Sequence, residues 1–411
     1  MTEPFDHLLE AYARLVIRIG VNVQPGQRVE IRGEPEQADT ARALALEAYR
    51  VGASKVTITY VDRHLQRAEV EHAPDEWLGR SLPWEVEGIR AMKEDRPAVI
   101  ALTGNPNPRL MDGLDPARLV RSTKLDQVRE FLPLTSASEI AWTVVGAPTP
   151  GWAESILGVP DTARLWDAVA TAMRLDEDDP VRSWREHLDA LALRRNLLNE
   201  RSFDRIRYRG PGTDLTIGVA AESRWVGGEL TNAEGTTFVP NMPTEEVFLT
   251  PDWRRAEGRA RTTAPFFLAT SGTLVEGLEV ELSDGTVTGA RAERGEREIH
   301  EQFESIPRSR HLGEIAIVDG GSRVRRSGLV FNDMLYDENV GSHIAWGNGW
   351  NFGFAGSNDL TPDERVAAGQ NQSATHVDIV IGSPDVEIDG IAADGTVTPL
   401  VQGDTFVLDG A

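Results

Sequence analysis
The sequence predicts a chain in two parts: an α/β domain over residues 1–200 and a mainly antiparallel β (α+β) domain over residues 201–411. Three observations lead there. At 411 residues the chain exceeds what one hydrophobic core usually serves. Its first half alternates strand-like and helix-like apolar patterns, as parallel βαβ units do. Its second half holds most of the 38 glycines, with Asp-Gly pairs between alternating segments, which signals tight antiparallel hairpins.

Taken in order, Phe5, Leu8, Leu9, Tyr12, Leu15, Val16 and Ile19 recur at helical spacing and form one apolar stripe. A strand is expected over residues 28–32. A helix bearing Ala41, Leu44, Ala45, Ala48 and Val51 follows and ends near Gly52. Residues 55–61 are rich in β-branched side chains and read as the next strand, and residues 97–102 as another buried one. Helices over 162–175 and 181–199 close this half, with the acidic run 176–179 as a solvated turn between them. Beyond residue 201, Asp284-Gly285, Asp389-Gly390 and Asp394-Gly395 are expected to be hairpin turns.

Composition narrows the partners. With 40% apolar and 26% charged residues the chain is globular. A net charge of −23 repels phosphate backbones and anionic lipid, so no nucleic-acid or membrane partner is expected. No apolar run reaches membrane-spanning length, and the charged N-terminus does not read as a secretory signal. The cytoplasm is therefore the expected compartment. The absence of cysteine excludes disulfides, thiolate nucleophiles and iron–sulfur clusters. Any metal must be held by His, Asp, Glu, carbonyls or water, a donor set open to Zn, Co, Mn, Fe or Mg.

Residues 375–382, Thr-His-Val-Asp-Ile-Val-Ile-Gly, read as a strand with Val377, Ile379 and Ile381 on one face. His376, Asp378 and Val380 take the other. Side chains two apart on a strand point the same way, with Cα atoms roughly 6.5–7 Å apart. An imidazole beside a carboxylate, backed by an apolar face, suits a divalent metal. Three further segments combine ligand-type residues with strand or turn context. In Pro-Thr-Glu-Glu-Val-Phe (243–248), Glu246 shares a strand face with Thr244 and Phe248. In Gly-Glu-Ile-Ala-Ile-Val (313–318), Glu314 begins a strand whose other face carries Ile315 and Ile317. In Asp-Glu-Asn-Val-Gly-Ser-His (337–343), Glu338 and His343 bracket a bend. Carboxylates on apolar strands are costly to bury unless paired or metal-bound. A lone glutamate at a strand end reads first as a solvated edge residue and a lone histidine as a hydrogen-bonded structural one, whereas the His376/Asp378 pair reads first as a site; spacing does not prove convergence.

Other signals carry less. His300-Glu-Gln-Phe-Glu304 lacks the second histidine of a zincin helix. Gly210-Pro-Gly212 and Gly347-Asn-Gly349 are not nucleotide loops. His7, His64, His72, His187 and His311 have no partner pattern. The aromatic stretch Trp346, Trp350, Phe352 and Phe354 fits either an apolar specificity pocket or dimer packing.

In their order and wording, PTEEVF, GEIAIV, DENVGSH and THVDIVIGSP resemble the M29 family of metallo-aminopeptidases. The resemblance runs over essentially the whole chain and is most specific within residues 241–382. It implies an N-terminal α/β domain, a C-terminal metal-binding catalytic domain and a homodimer. The implied activity is removal of N-terminal amino acids from peptides, using a hydroxide activated by two divalent ions (Zn, Co, Mn or Mg). Carried over motif by motif, the implied ligands are Glu246, Glu314, Glu338, His343, His376 and Asp378, with Glu314 bridging the ions. Glu245, on the opposite strand face, is passed over for Glu246. One position departs from the family pattern: seven residues after His343, where a tyrosine is typical, this chain has Trp350. Indole donates an N–H but is no acid–base group. Two further readings therefore stand beside the peptidase. One is a mononuclear Fe(II) ring-cleaving enzyme similar to the 2,5-dihydroxypyridine dioxygenases, which reuse a subset of these ligands. The other is a catalytically weakened metal-binding dimer. Four acidic candidates favour two metals over a single iron site, which needs only about three ligands.

Overall fold
The N-terminal apolar stripe forms the helix Glu3–Leu15, which continues as a π-helical turn, Val16–Gly20, before the first strand. In the computed structural model, residues 3–107, 109–268 and 273–408 are described. The strands β1 (Arg28–Gly33), β2 (Lys55–Tyr60), β3 (Ala98–Thr103) and β4 (Trp142–Gly146) pair in parallel in the order β2-β1-β3-β4. Helix Ala38–Arg50 makes the crossover between β1 and β2, as the βαβ pattern requires. The charged alternation of β1 is explained by pairing: buried Glu30 lies 2.9 Å from Arg28 and 3.7 Å from Arg32. The acidic run 176–179 is an exposed turn, and the helices around it span Thr162–Ala172 and Pro180–Arg201.

The chain divides into two compact units: residues 1–184 with 229–242, and residues 185–228 with 243–411. This differs from a single cut near residue 201 for two reasons. Most of the helix Pro180–Arg201 belongs to the second unit. The segment 229–242 returns to the first unit because its strand Asn241–Met242 pairs in parallel with β4 as a fifth strand.

The second unit is antiparallel. Its larger sheet has eight strands, with Arg205–Gly210 and Thr213–Gly218 near the centre. Asp284-Gly285 makes the expected two-residue hairpin, both residues having positive φ (49° and 71°), and Ser283 pairs with Thr286 across it. Asp394-Gly395 lies in the turn between Glu387–Ile391 and Val397–Gln402. Asp389-Gly390 is not a turn. It lies within the strand Glu387–Ile391, where the Phe203 ring occupies the space a Cβ at Gly390 would need, 2.6 Å away.

The smaller sheet comprises β5 (Val247–Leu249), β6 (Leu312–Ile317), β7 (His343–Gly347) and β8 (His376–Val380), side by side in that order. All three pairings are antiparallel, so directly opposed residues share a face. One face presents Val247, Leu249, Ile315, Ile317, Ile344, Trp346, Val377 and Ile379. All belong to one hydrophobic core with Ile206, Tyr208, Leu215 and Ile217 of the larger sheet. The opposite face is where the candidate ligands stand. Among the described residues no helix is long and apolar enough to cross a membrane.

Candidate metal centre
Strand alternation places the ligands. Phe248, Ala316, His343 and Val380 lie opposite one another across the four strands, and Glu314, Ala345 and Asp378 form a parallel row. Glu246 precedes β5, two residues before Phe248. Ala345 puts only a methyl group between Glu314 and Asp378 in this row. Gly347, opposite His376, has φ +102° and its Cβ position lies 2.1 Å from the Thr375 carbonyl, so only glycine ends β7 in this way.

Two trios of donors result. Donor atoms of Glu246, Glu314 and His343 lie within 4.8 Å of one another, as do those of Glu314, His376 and Asp378. Glu314 belongs to both. His343 Nε2 is 3.1 Å from Glu246 Oε2, 3.5 Å from Glu314 Oε1 and 3.9 Å from Asp378 Oδ1. His376 Nε2 is 3.5 Å from Glu314 Oε2 and 3.2 Å from Asp378 Oδ1. Five of the six candidates thus come together. Glu338 stands outside both trios, buried and within electrostatic reach of Asp378 and Glu246.

Both imidazoles are oriented by backbone. His343 Nδ1 is 3.2 Å from the Gly341 carbonyl and His376 Nδ1 is 2.7 Å from the Asn348 carbonyl. A carbonyl accepts only from N–H, which assigns the proton to Nδ1 and leaves Nε2 of the neutral ring as the donor to a metal. Close approach is not hydrogen bonding here. Glu246 Oε2, His343 Nε2 and Asp378 Oδ1 are buried without a hydrogen bond of acceptable geometry. Buried polar atoms left so are costly. Donor atoms that converge without a satisfied hydrogen bond fit a cation, so the residues present suit a divalent metal, and the shared Glu314 suits a pair of ions.

The protonation equilibria of the bare site reflect crowding. Burial, reinforced by the carboxylates of Glu246 and Asp378, raises Glu314 to about 7 against the pull of the two histidines. Burial also drives Glu338 well above the usual carboxylate range, with Asp378 and Glu246 adding to the effect. Burial opposes the charged form of His376, yet Asp378 and Glu314 overcome it and raise the ring to about 9. His343 moves up likewise, its burial outweighed by Glu246 and Glu314. Burial would raise Asp378, but His376 and His343 hold it below its ordinary value.

A supporting layer was not evident from the sequence. Glu245 points away from the trios: its Oε2 lies 3.7 Å from His187 Nε2 and its Oε1 accepts from the Arg323 backbone N–H at 3.3 Å. His187, on the helix Pro180–Arg201, also lies 2.8 Å from the Thr244 carbonyl. Asn339 is fully buried and joins two ligand segments. Its Oδ1 accepts from the Glu245 backbone N–H at 2.7 Å. Its Nδ2 donates to the Leu335 carbonyl at 2.8 Å and approaches Glu338 Oε1 at 3.5 Å. An amide directly after the candidate acid Glu338 was the available signal for Asn339; for His187 there was none.

The remaining histidines are elsewhere. His300 lies 3.1 Å from the Ala290 carbonyl and His311 Nδ1 lies 2.9 Å from that of Gly285, while His7, His64 and His72 are exposed. The aromatic stretch divides: Trp346 and Phe354 are interior, whereas Trp350 and Phe352 are half-buried. The Trp350 ring lies 4.9 Å from that of His376.

With this geometry in view, the family model for thermophilic metalloproteases (M29) matches residues 5–406. The chain belongs to the M29 family. Aminopeptidase T of Thermus thermophilus is 37% identical over 99% of this chain and 100% of its own length. Aminopeptidase AmpS of Bacillus subtilis is 34% identical, covering 97% of this chain and 98% of its own. The solved structure of wild-type AmpT from T. thermophilus superposes with a TM-score of 0.90 at 35% identity, over 98% of this chain and all of that one. Membership makes the chain a metallopeptidase, a hydrolase of the exopeptidase kind, and divalent metal use goes with it. The 2,5-dihydroxypyridine dioxygenase of Pseudomonas putida KT2440 shares the fold alone: TM-score 0.54 at 12% identity, over 99% of this chain and 98% of that one.

Proposed function
We propose that this M29 chain releases N-terminal amino acids from peptides at two divalent ions (Zn, Co, Mn or Mg) held on the polar face of the four-stranded sheet. In this reading Glu246, His343 and Glu338 serve one ion, His376 and Asp378 the other, and Glu314 both. The observation that carries it is the pair of buried donor trios sharing Glu314. When bound, the ions polarise the scissile carbonyl and lower the pKa of a shared water to give the attacking hydroxide.

The chain's own residues do the rest. The Gly341 and Asn348 carbonyls fix the imidazole tautomers. A carboxylate at the edge of the site offers the free α-ammonium of a peptide a charge-assisted partner that a blocked end cannot use. Water adds across the peptide bond, the C–N bond breaks, and the leaving amine takes up a proton. Trp350 supplies no acid–base group at its place beside His376, which leaves charge stabilisation to the metal site. Homodimerisation belongs to the same reading, on the strength of the family resemblance.

The test is metal analysis combined with turnover of aminoacyl p-nitroanilides. Two ions per chain and release of p-nitroaniline from leucine but not N-acetyl-leucine substrates are expected. One iron per chain with oxygen consumption on a hydroxypyridine would replace the reading.

A further inference from the structure
Beside the ligands runs a continuous row of aromatic rings. Phe248, on the site face of β5, meets Phe352 edge-on with ring centroids 5.8 Å apart. Phe352 stacks on Trp350 at 5.7 Å with an interplanar angle of 10°. Trp350 in turn leans on the His376 ring at 4.9 Å. The interior aromatics of this unit, Trp346 and Phe354, are at most 2% exposed, whereas Phe248, Trp350 and Phe352 each keep part of their surface open. The row therefore runs from the Glu246 segment to the His376 end of the donor set with apolar surface unburied.

The loop that carries the row is fixed. Fully buried Gln370 donates through Nε2 to the Gly349 carbonyl at 2.9 Å and to Asn351 Oδ1 at 3.0 Å, and its Oε1 accepts from Ser357 at 2.6 Å. Thr250 Oγ1 donates to the Trp350 carbonyl at 3.0 Å, and the Arg224 backbone N–H donates to that of Gly353 at 3.0 Å. Phe354 is buried as an anchor, two residues beyond the open Phe352. Rings held this way retain apolar surface without the conformational entropy that a mobile loop would lose on binding.

We propose that Phe248, Phe352 and Trp350 form an aromatic wall that selects peptides whose first residue carries a large apolar side chain, leucine or phenylalanine over alanine, lysine or glutamate. The proposal rests on the peptidase reading above and deepens it by naming the substrate class. Phe352 is the discriminating position, because Trp350 also touches a ligand. An apolar pocket distinguishes side chains differing by one methylene by about 10–200-fold, so a preference of about tenfold or more for leucine over alanine is expected.

The experiment measures kcat/KM of the metal-loaded chain and of Phe352→Ala on leucyl, phenylalanyl, alanyl, lysyl and glutamyl p-nitroanilides. The leucine-to-alanine ratio falls about tenfold in the variant, and Phe352→Leu recovers most of the leucine rate. An unchanged ratio, or an equal loss on every substrate with metal content intact, overturns the wall. Should the unmodified chain turn over none of these substrates, the peptidase reading fails separately. The wall is then decided by calorimetry with phenylalaninamide, leucinamide and alaninamide, and equal affinities overturn it.

Discussion
On one face of the four-stranded sheet, Val247, Leu249, Ile315, Ile317, Ile344, Trp346, Val377 and Ile379 share a single core. On the other, one backbone away, Glu314, His343, His376 and Asp378 converge with Glu246 from the turn before β5. The two faces come from the same strands, yet one contributes stability and the other concentrates unfavourable terms: buried carboxylates, unpaired lone pairs and shared protons. The comparison teaches why such a site sits on a sheet. Alternation gives each ligand of the two trios an immediate neighbour that is anchored in the core, so the cost of crowding charge on one side is offset on the other.

The sharpest way to break the comparison is to remove the shared ligand. Glu314→Ala is expected to reduce turnover to background and leave fewer than two ions per chain; full activity with two ions would refute its bridging place. Next in size is the opposite face of β8. Ile379→Ala, one residue from Asp378, should lower unfolding free energy by about 2–5 kcal/mol with metal stoichiometry unchanged in the folded protein. Loss of an ion in that variant would mean that the faces are not separable. Asn339→Asp tests the layer between them. It keeps the acceptor for the Glu245 N–H, removes both Nδ2–H donors and puts a carboxylate beside Glu338. Chelator competition should read metal binding weaker by about 10–100-fold.

The smallest effect is set by pH. In the bare site His376 titrates near 9 and Glu314 near 7. Both are raised, so below these values they hold protons that a cation must displace. Metal affinity is therefore expected to rise with pH through the range from 7 to 9, by up to about tenfold per unit for each proton displaced. Calorimetry in buffers of different ionisation enthalpy reads the net proton release; none at pH 7 would contradict the assignment.

How far the sequence foretold these faces depended on the residues. The strands expected at 28–32, 55–61 and 97–102 lie within a residue of β1, β2 and β3, because strict alternation marks the first and β-branched or apolar runs mark the other two. Strand β4, five residues long, was missed, as were the half-exposed helices Arg63–His72 and Pro83–Asp95, whose charged residues blur the apolar period. At the site, β8 was legible because His376 and Asp378 interrupt an otherwise apolar alternation. In β7 only His343 was legible: the rest of His-Ile-Ala-Trp-Gly hides its role in Ala345 and Gly347, residues that matter by being small. His187 was beyond reach of any local pattern, since its partner Thr244 lies 57 residues onward.

Ala345 carries a consequence for change by mutation. Flanked by Glu314 on β6 and Asp378 on β8, its single methyl sets the headroom over the floor of the donor basin. A valine there would keep the strand, the register and the hydrophobic tally, and would still crowd the carboxylates on either side. The most conservative-looking exchange on this sheet is thus among those best able to silence it.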